Sequence, residues 1–528
     1  MGRLRRVNMW QFLHDDTMNE NAAPETQPDA PVQASTVAHR RWILAALMLT
    51  IALAAMDITI VATAVPQIVG DLGGFERFSW LFSIYLLAQT VTIPIYGKLA
   101  DLYGRKPVLL AGTALFLAGS AACAAAWGMI PLIVFRGIQG LGAGSIMATV
   151  NTLAGDLYST RERARIQGWL SSVWGIAAIL GPTLGGAFAE YATWRWVFLI
   201  NLPIGLAAMG LIARFLNEQA PVRHHIIDYP GAILMMMAGS AGVFGLLQGG
   251  NAWGWLSAPS LITFAVVLIL VVATVVRERT AAEPIMPGWV WRHRVMLGSN
   301  LAMVGMGLVM MAPGAYLPVF AQAVLGLGPI AAGLVLASMS AGWVTAASWS
   351  GHLYLRIGFR DTALLGAALM FAGVVGFILL PDSPSYWLVV ADQVLLGAGF
   401  GMLSTPLLVG VQSIVPWNQR GVATSTNMWS RYLGQSLGAA IAGAIFNGAM
   451  RSQLQDAPAS LAGTLPEVNA VVGALQSGSL GSDGTRFLQS AFDAATHHVY
   501  LGMAWAAALT ILLVLLVPRR PQENMGGS

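Results

Sequence analysis

Charge is what this chain has least of. Only 10% of its 528 residues are Asp, Glu, Lys or Arg, against roughly 25% in an average soluble protein. With 28 basic and 24 acidic side chains, it lacks the charged skin that a water-soluble globule of this length needs. The length therefore does not translate into several soluble domains. There is one cysteine, Cys123, which excludes an internal disulfide. No phosphate-binding lysine motif appears, so the signature of ATP hydrolysis is missing. No nucleophile elbow, metal-ligand cluster or pair of catalytic carboxylates is found, so neither an enzyme nor a metal or other cofactor is expected. His497 and His498 have no third ligand near them in sequence and read as an interface feature. The net charge of +4 is spread over short loops rather than gathered in a patch, which argues against a nucleic-acid partner. The basic start, Met1 to Arg6, has no apolar segment behind it and does not read as a cleaved signal peptide.

What is abundant is apolar sequence: 56% of the residues are hydrophobic, with a mean hydropathy of +0.66. After a polar tail (1–41), poor in apolar residues and expected to be disordered, runs of about 20 apolar residues recur, each able to span a bilayer. Fourteen are counted, from 42–69 to 498–517. Lipid-facing strands would show short alternating segments instead, so the runs are helices and the class is an all-α polytopic membrane protein. With both termini in the cytoplasm, 22 of the 28 lysines and arginines fall on the cytoplasmic side. Arg77, Arg195, Arg451 and Arg486 fall outside, and Arg136 and Arg431 lie within runs. That asymmetry is the positive-inside pattern of a multi-pass plasma or inner membrane protein.

The runs repeat internally. Gly97-Lys-Leu-Ala-Asp-Leu-Tyr-Gly-Arg-Lys106 follows the second run, and Gly351-His-Leu-Tyr-Leu-Arg-Ile-Gly-Phe-Arg360 follows the tenth with its glycines at the same spacing. Gly140, Gly142, Gly144 and Arg163 are matched by Gly397, Gly399, Gly401 and Arg420. Two six-helix pseudo-repeat bundles are therefore expected, 42–216 and 297–517, with two extra helices and a cytoplasmic linker in 217–296. The second bundle includes an outer loop, 449–497, and the chain ends in a cytoplasmic tail, 518–528.

The individual motifs suggest a moving device. In the first loop, Gly97 and Gly104 permit close helix approach. Asp101 can pair with a basic neighbour or cap a helix, and Arg105 and Lys106 hold the loop at the cytoplasmic face. Such a loop can lock one half against the other. Gly181, Pro182, Gly185 and Gly186 form a kink in the fifth run, since proline removes a backbone donor. Asp57 is the one acid near the heart of the first run, about 22 Å up from Trp42, and Arg136 lies about 9 Å down the fourth run from outside. The two depths agree, and Asp392 falls at the same level. Arg431 lies about 15 Å in from the cytoplasmic side. A buried arginine needs a partner or a wet cavity. Gln89, Gln139, Asn151, Trp174, Asn201, Met310, Met311, Tyr316, Gln322, Asn427, Trp429 and Arg431 are candidate cavity groups, because large apolar cavities with a few polar groups suit varied amphipathic ligands and methionine adapts to shape.

Together these motifs resemble the major facilitator superfamily, and within it the fourteen-helix drug:proton antiporter family (EmrB/QacA-like). The residues that carry the resemblance are Asp57-Ile-Thr-Ile-Val with Pro66, the loop Gly97–Lys106, Arg136 with Gln139-Gly140, Gly181-Pro182 with Gly185-Gly186, and Trp194-Arg-Trp-Val-Phe-Leu-Ile-Asn-Leu-Pro203. The resemblance implies proton coupling through Asp57 with Arg136 beside it, and export of amphipathic drugs. Asp392 is a second candidate for coupling or for facing substrate. The second loop has Leu355 where the first has Asp101, so its lock should be weaker. Acids are sparse in the second half, so dications are not expected substrates. The expected partners are a small-molecule substrate, protons and membrane lipid; a periplasmic adaptor is left open. A dedicated exporter of a sugar, amino acid or siderophore, or a non-transporting sensor or scaffold, are the alternatives.

Overall fold

The computed structural model describes residues 39–73, 80–218, 228–249, 253–381, 385–458 and 481–519, with 461, 465, 466, 471 and 475 between the last two stretches. The call of a disordered tail over 1–41 lies almost wholly outside the described residues, as do Arg77 and Arg223.

The described residues are helical almost throughout. In chain order the helices are α1 (Arg40–Leu72), α2 (Trp80–Tyr103), α3 (Arg105–Ala124), α4 (Met129–Leu157), α5 (Thr160–Tyr191), the short α6 (Trp196–Leu199) and α7 (Asn201–Phe215). Then come α8 (Tyr229–Gln248), α9 (Ala258–Thr280), the short α10 (Trp289–Arg292), α11 (Arg294–Ala323), α12 (Pro329–Ile357) and α13 (Phe359–Ile378). The last three are α14 (Tyr386–Ser413), α15 (Arg420–Gln455) and α16 (Ser482–Val514). A helix satisfies its backbone polar groups within itself, which is what an apolar surrounding demands. Among the described residues, twelve candidate membrane spans are long and apolar enough to cross a bilayer, α6 and α7 together making one. The chain is thus a multi-pass membrane protein. Helices α5 and α15 are equally long but carry more polar residues.

The outer loop expected over 449–497 is shorter at both ends. Helix α15 continues to Gln455 and α16 begins at Ser482. The chain there is too polar to read as a span, yet it remains helical; α16 buries Leu488, Ala491, Phe492 and Ala495 as it passes from that segment into the apolar one.

Two large apolar cores, with smaller clusters beside them, hold the helices. One is built from residues between Ile43 and Leu216, joined by Met428 and Tyr432; the other uses residues between Val295 and Val517. Glycine sets the spacing inside each. A Cβ at Gly140 would lie 2.5 Å from the Tyr85 carbonyl oxygen, and one at Gly142 2.4 Å from the Phe116 nitrogen. Alternate glycines thus seat α4 against α2 on one side and α3 on the other. The second triplet does the same for α14: a Cβ at Gly397 would lie 1.9 Å from the Met339 carbonyl oxygen, and one at Gly399 2.3 Å from the Met370 nitrogen. Close packing of small residues is how helices associate where no hydrophobic drive separates lipid from protein.

Among the candidate spans, α8 and α9 are the least buried. Of α9, only Ser260 is buried, and Leu261, Ile262, Leu268 and Ile269 are each more than half exposed. Met235 of α8 packs with Ile285, Met286, Ile95 and Trp429.

Candidate functional site

Three features converge: a sealed carboxylate–guanidinium network, a central cavity, and a polar lock at one end of the bundle.

The network joins α1, α3, α4 and α7. Asp57 and Arg136 are both fully buried, and Arg136 Nη1 donates to Asp57 Oδ2. The other carboxylate oxygen, Oδ1, accepts from Gln139 Nε2 at 2.8 Å and from Asn201 Nδ2 at 3.3 Å. Ser120 Oγ receives a second contact from each amide, at 2.7 Å from Gln139 and 2.9 Å from Asn201. Arg136 also donates from Nε to the Leu81 carbonyl (3.1 Å) and from Nη1 to Gln139 Oε1 (2.7 Å). The Tyr85 ring centroid lies 4.3 Å from its guanidinium carbon. A charge pair removed from water is held best when its remaining hydrogen-bonding capacity is also met; here Gln139, Asn201 and the Leu81 carbonyl meet most of it, and Arg136 Nη2 is buried without a hydrogen-bond partner. The equal depths read from the helix rise therefore correspond to a direct contact.

Gln139 and Asn201, read as cavity groups, belong to this network instead. Their helices turn them toward Asp57, an azimuth that spacing alone does not fix.

The cavity, about 380 Å³, lies between the two cores and draws its lining from α1, α2, α4 and α5 on one side and α11, α12, α14 and α15 on the other. Asn151, Trp174, Met310, Met311, Asn427 and Arg431 line it, together with Trp343, Met339 and Gln435. Asp57 does not line it, but Ile58 and Thr59 do. Gln89, Tyr316, Gln322 and Trp429 do not. Gln89 is sealed within the helix packing with neither amide atom partnered. Tyr316 stacks on Phe446 at 4.8 Å, Gln322 donates to the Pro318 carbonyl, and Trp429 packs toward α8.

Asp392 is 8% exposed and accepts from Gln393 Nε2 at 3.0 Å. A Cβ at Gly376 would lie 2.6 Å from its Oδ1. It sits against α13 rather than at the cavity, so the substrate-facing reading of Asp392 is corrected: its helix directs it behind the lining.

The hinge glycines bear on α1. A Cβ at Gly181 would lie 2.0 Å from Thr59 Oγ1, and one at Gly185 2.1 Å from Thr63 Oγ1. Thr59 Oγ1 itself donates to the Ala177 carbonyl at 3.0 Å. Pro182 and Gly186 belong to the same helix, and their packing lies outside the described residues.

The lock gathers residues 97–106 against α15. Gly97 touches Ser425 and Gly421: a Cβ there would lie 1.9 Å from Ser425 Oγ. Asp101 both pairs and caps. Its two oxygens accept from the backbone nitrogens of Gly421 and Val422, each at 2.8 Å, and Oδ1 also takes Arg105 Nη2 at 2.9 Å. A carboxylate on the first N–H groups of a helix meets both orphan donors and the positive end of the helix dipole. Gly104 has φ 94°, the left-handed turn that separates α2 from α3. Arg105 is fully buried. It reaches Asp156 Oδ2 (2.9 Å) and the Ala100 carbonyl (3.0 Å), and lies 3.7 Å above the Trp417 ring. Asp156 also accepts from Arg420 Nη1 at 2.6 Å.

Lys106 donates from Nζ to the Ala213 carbonyl, while the Lys106 and Arg105 amides donate to Glu218 at 2.7 and 2.9 Å. Burial raises the pKa of Glu218, opposed by those two backbone hydrogen bonds. The second loop is a poorer copy. Leu355 is 49% exposed, and the cross-bundle bond made from this loop is that of the Tyr354 hydroxyl to the Thr160 carbonyl.

Sequence reading missed Asp156, Glu218 and Trp417. Asp156 was detectable as an acid ending an apolar run directly before a cluster of arginines; Glu218 and Trp417 had no such signal.

Residues 47–439 match the family model of the Major Facilitator Superfamily. The chain is 34% identical over 437 residues to "Multidrug resistance protein 3" of Bacillus subtilis (strain 168), covering 82% of this chain and 84% of that protein. It is 32% identical over 454 residues to "Multidrug transporter protein MdtP" of the same organism, covering 86% and 84%. Among solved structures, the human organic anion transporter MFSD10 (TETRAN) superposes with a TM-score of 0.59 at 13% identity, over 90% of this chain and 99% of that one. A bacterial homologue of the iron transporter ferroportin, in an outward-facing state, gives 0.58 at 13%, over 90% and 98%. These two likenesses concern the fold. From the family match and its relatives, this chain belongs to the Major Facilitator Superfamily and is a multi-pass membrane transporter.

Proposed function

We propose that this transporter crosses the cell membrane fourteen times and exports amphipathic small molecules in exchange for protons by alternating access. Helices α5 and α15 supply the two spans beyond the twelve, since each is long enough to cross and each lines the cavity. The six spans of 42–216 and the six of 297–517 are the two moving halves, with α8 and α9 inserted between them and both termini cytoplasmic. Two relatives bear multidrug names, and a methionine-rich cavity of this size suits chemically varied guests.

The observation that carries the coupling is the position of Asp57: fully buried, ion-paired, and immediately beside two residues of the cavity wall. A proton reaching Asp57 from outside removes the charge that holds Arg136. Arg136 and Asp156 lie on the same helix, 20 residues apart, or about 30 Å at 1.5 Å per residue. At the far end Asp156 bridges Arg105 and Arg420, the centre of the lock. Release of Arg136 thus lets α4 shift and relax the lock, opening the cavity to the cytoplasm. Substrate then enters, Asp57 gives up its proton inward, the Arg136 pair re-forms and the lock closes. Asp392 is assigned as a second carboxylate that takes up protons with the second half.

The test is transport in proteoliposomes under an imposed pH gradient. Accumulation of a fluorescent amphiphile that collapses when the gradient is dissipated supports the reading. Transport that ignores the gradient overturns it.

A further inference from the structure

We infer that the cavity selects amphipathic anions, with Arg431 as the group that receives the negative charge. This rests on the export reading above and names its substrate class. Among the described residues Arg431 is the one charged residue in the cavity lining, and no Asp or Glu stands there with it. Three buried arginines meet a carboxylate: Arg136 meets Asp57, Arg105 meets Asp101 and Asp156, and Arg420 meets Asp156; a fourth, Arg163, is held by the Tyr158 and Gly155 carbonyls. Among the described residues Arg431 has no such partner. Its Nε is buried without a hydrogen-bond acceptor, and its guanidinium carbon lies 5.1 Å from the Tyr432 ring centroid.

An unpaired guanidinium inside a bilayer is costly, and such a group ordinarily marks a ligand pathway. Its planar fork matches a carboxylate or sulfonate with two parallel hydrogen bonds. In a cavity with apolar walls its field is weakly screened, so it draws anions and repels cations. Gln435, one turn further along α15, donates to Met310 Sδ at 3.0 Å. That is a weak acceptor which a ligand oxygen can displace. Met310, Met311 and Trp343 then cover the apolar body.

Charge balance makes this consequential. One anion leaving as one proton enters moves two charges in the same electrical direction, so an inside-negative potential drives the exchange. A one-for-one exchange of a monovalent cation with a proton moves none.

The experiment uses the purified full chain and two probes with the same fluorescent body, dansyl-glycine (a carboxylate) and dansyl-cadaverine (an ammonium), with binding read by tryptophan quenching. The wild type should bind dansyl-glycine about 10- to 100-fold more tightly, the scale of a charge-assisted hydrogen bond. Arg431→Gln should erase the difference and Arg431→Lys should keep part of it. Gln435→Glu should also erase it, with Arg431 still in place, by setting a carboxylate one turn away. Equal or tighter binding of the cation by wild type overturns the inference, as does an anion preference that survives Arg431→Gln. Flux in proteoliposomes separates the two claims. Anion binding that needs Arg431, with no pH-driven flux of either probe, upholds this inference and removes the exchange reading. Equal pH-driven flux of both probes upholds exchange and removes this inference.

Discussion

Replacing Asp101 with alanine should loosen the closed end of the bundle by a calculable amount. The Arg105 contact of Asp101 lies within one half, four residues along the chain, and persists however the halves move. Of the bonds made by Asp101, the two from Gly421 and Val422, both 2.8 Å, cross between halves. When the halves part, water takes over these donors, so each contributes its net rather than gross value. A hydrogen bond to a charged group is worth about 1.5–3 kcal/mol net, and two sharing one carboxylate give about 3 kcal/mol, or roughly 150-fold in the closed-to-open ratio. Asp101→Asn keeps an acceptor oxygen but loses the charge, and should fall between. The assay is a spin-label distance between Arg161→Cys and Leu355→Cys, exposed positions on the two halves at this end, in a Cys123→Ala background. Asp101→Ala should convert a short-distance population into a long one. A distance distribution unchanged from the parent, with the melting temperature also unchanged, would refute the assignment of Asp101 to the lock.

Further outcomes follow from neighbouring geometry. Gly97→Val should shift the same distance pair to the open population without removing a charge, because Ser425 and the Gly421 carbonyl leave no room for a side chain. Arg105→Lys should lower thermal stability by about 3 kcal/mol: an ammonium cannot serve Asp101, Asp156 and the Ala100 carbonyl at once while stacking on Trp417. Glu218 holds its proton to higher pH in the folded chain than its ordinary value of 4.5. The folded state therefore binds more protons in the window above 4.5 and loses stability as pH rises through it. Glu218→Gln should flatten that slope in a melting-temperature series; a slope identical to wild type contradicts the assignment.

The sequence was most informative where geometry reduces to one dimension. A rise of 1.5 Å per residue placed Asp57 and Arg136 at one depth, and they touch. The repeated glycines foretold close packing of α4 and α14, and Asp101 was legible as a pairing or capping group. Rotation about the helix axis was not legible. Gln139, Asn201, Gln89 and Trp429 have polar or amphipathic side chains on buried helices, and sequence spacing alone did not separate a cavity wall from a sealed network. Asp156 escaped because its partners, Arg105 and Arg420, lie 51 and 264 residues away; only tertiary packing brings them together. The family match and the fold agree with the superfamily reading of the motifs.

The central claim is that the Asp57 carboxylate carries the coupled proton. The most direct measurement is substrate-dependent proton release from purified protein in weakly buffered detergent, wild type against Asp57→Asn, with ligand binding recorded in parallel. The account predicts that wild type releases protons as substrate binds, and that Asp57→Asn binds substrate with the release diminished to what Asp392 contributes. Undiminished proton release by a folded Asp57→Asn protein would contradict it.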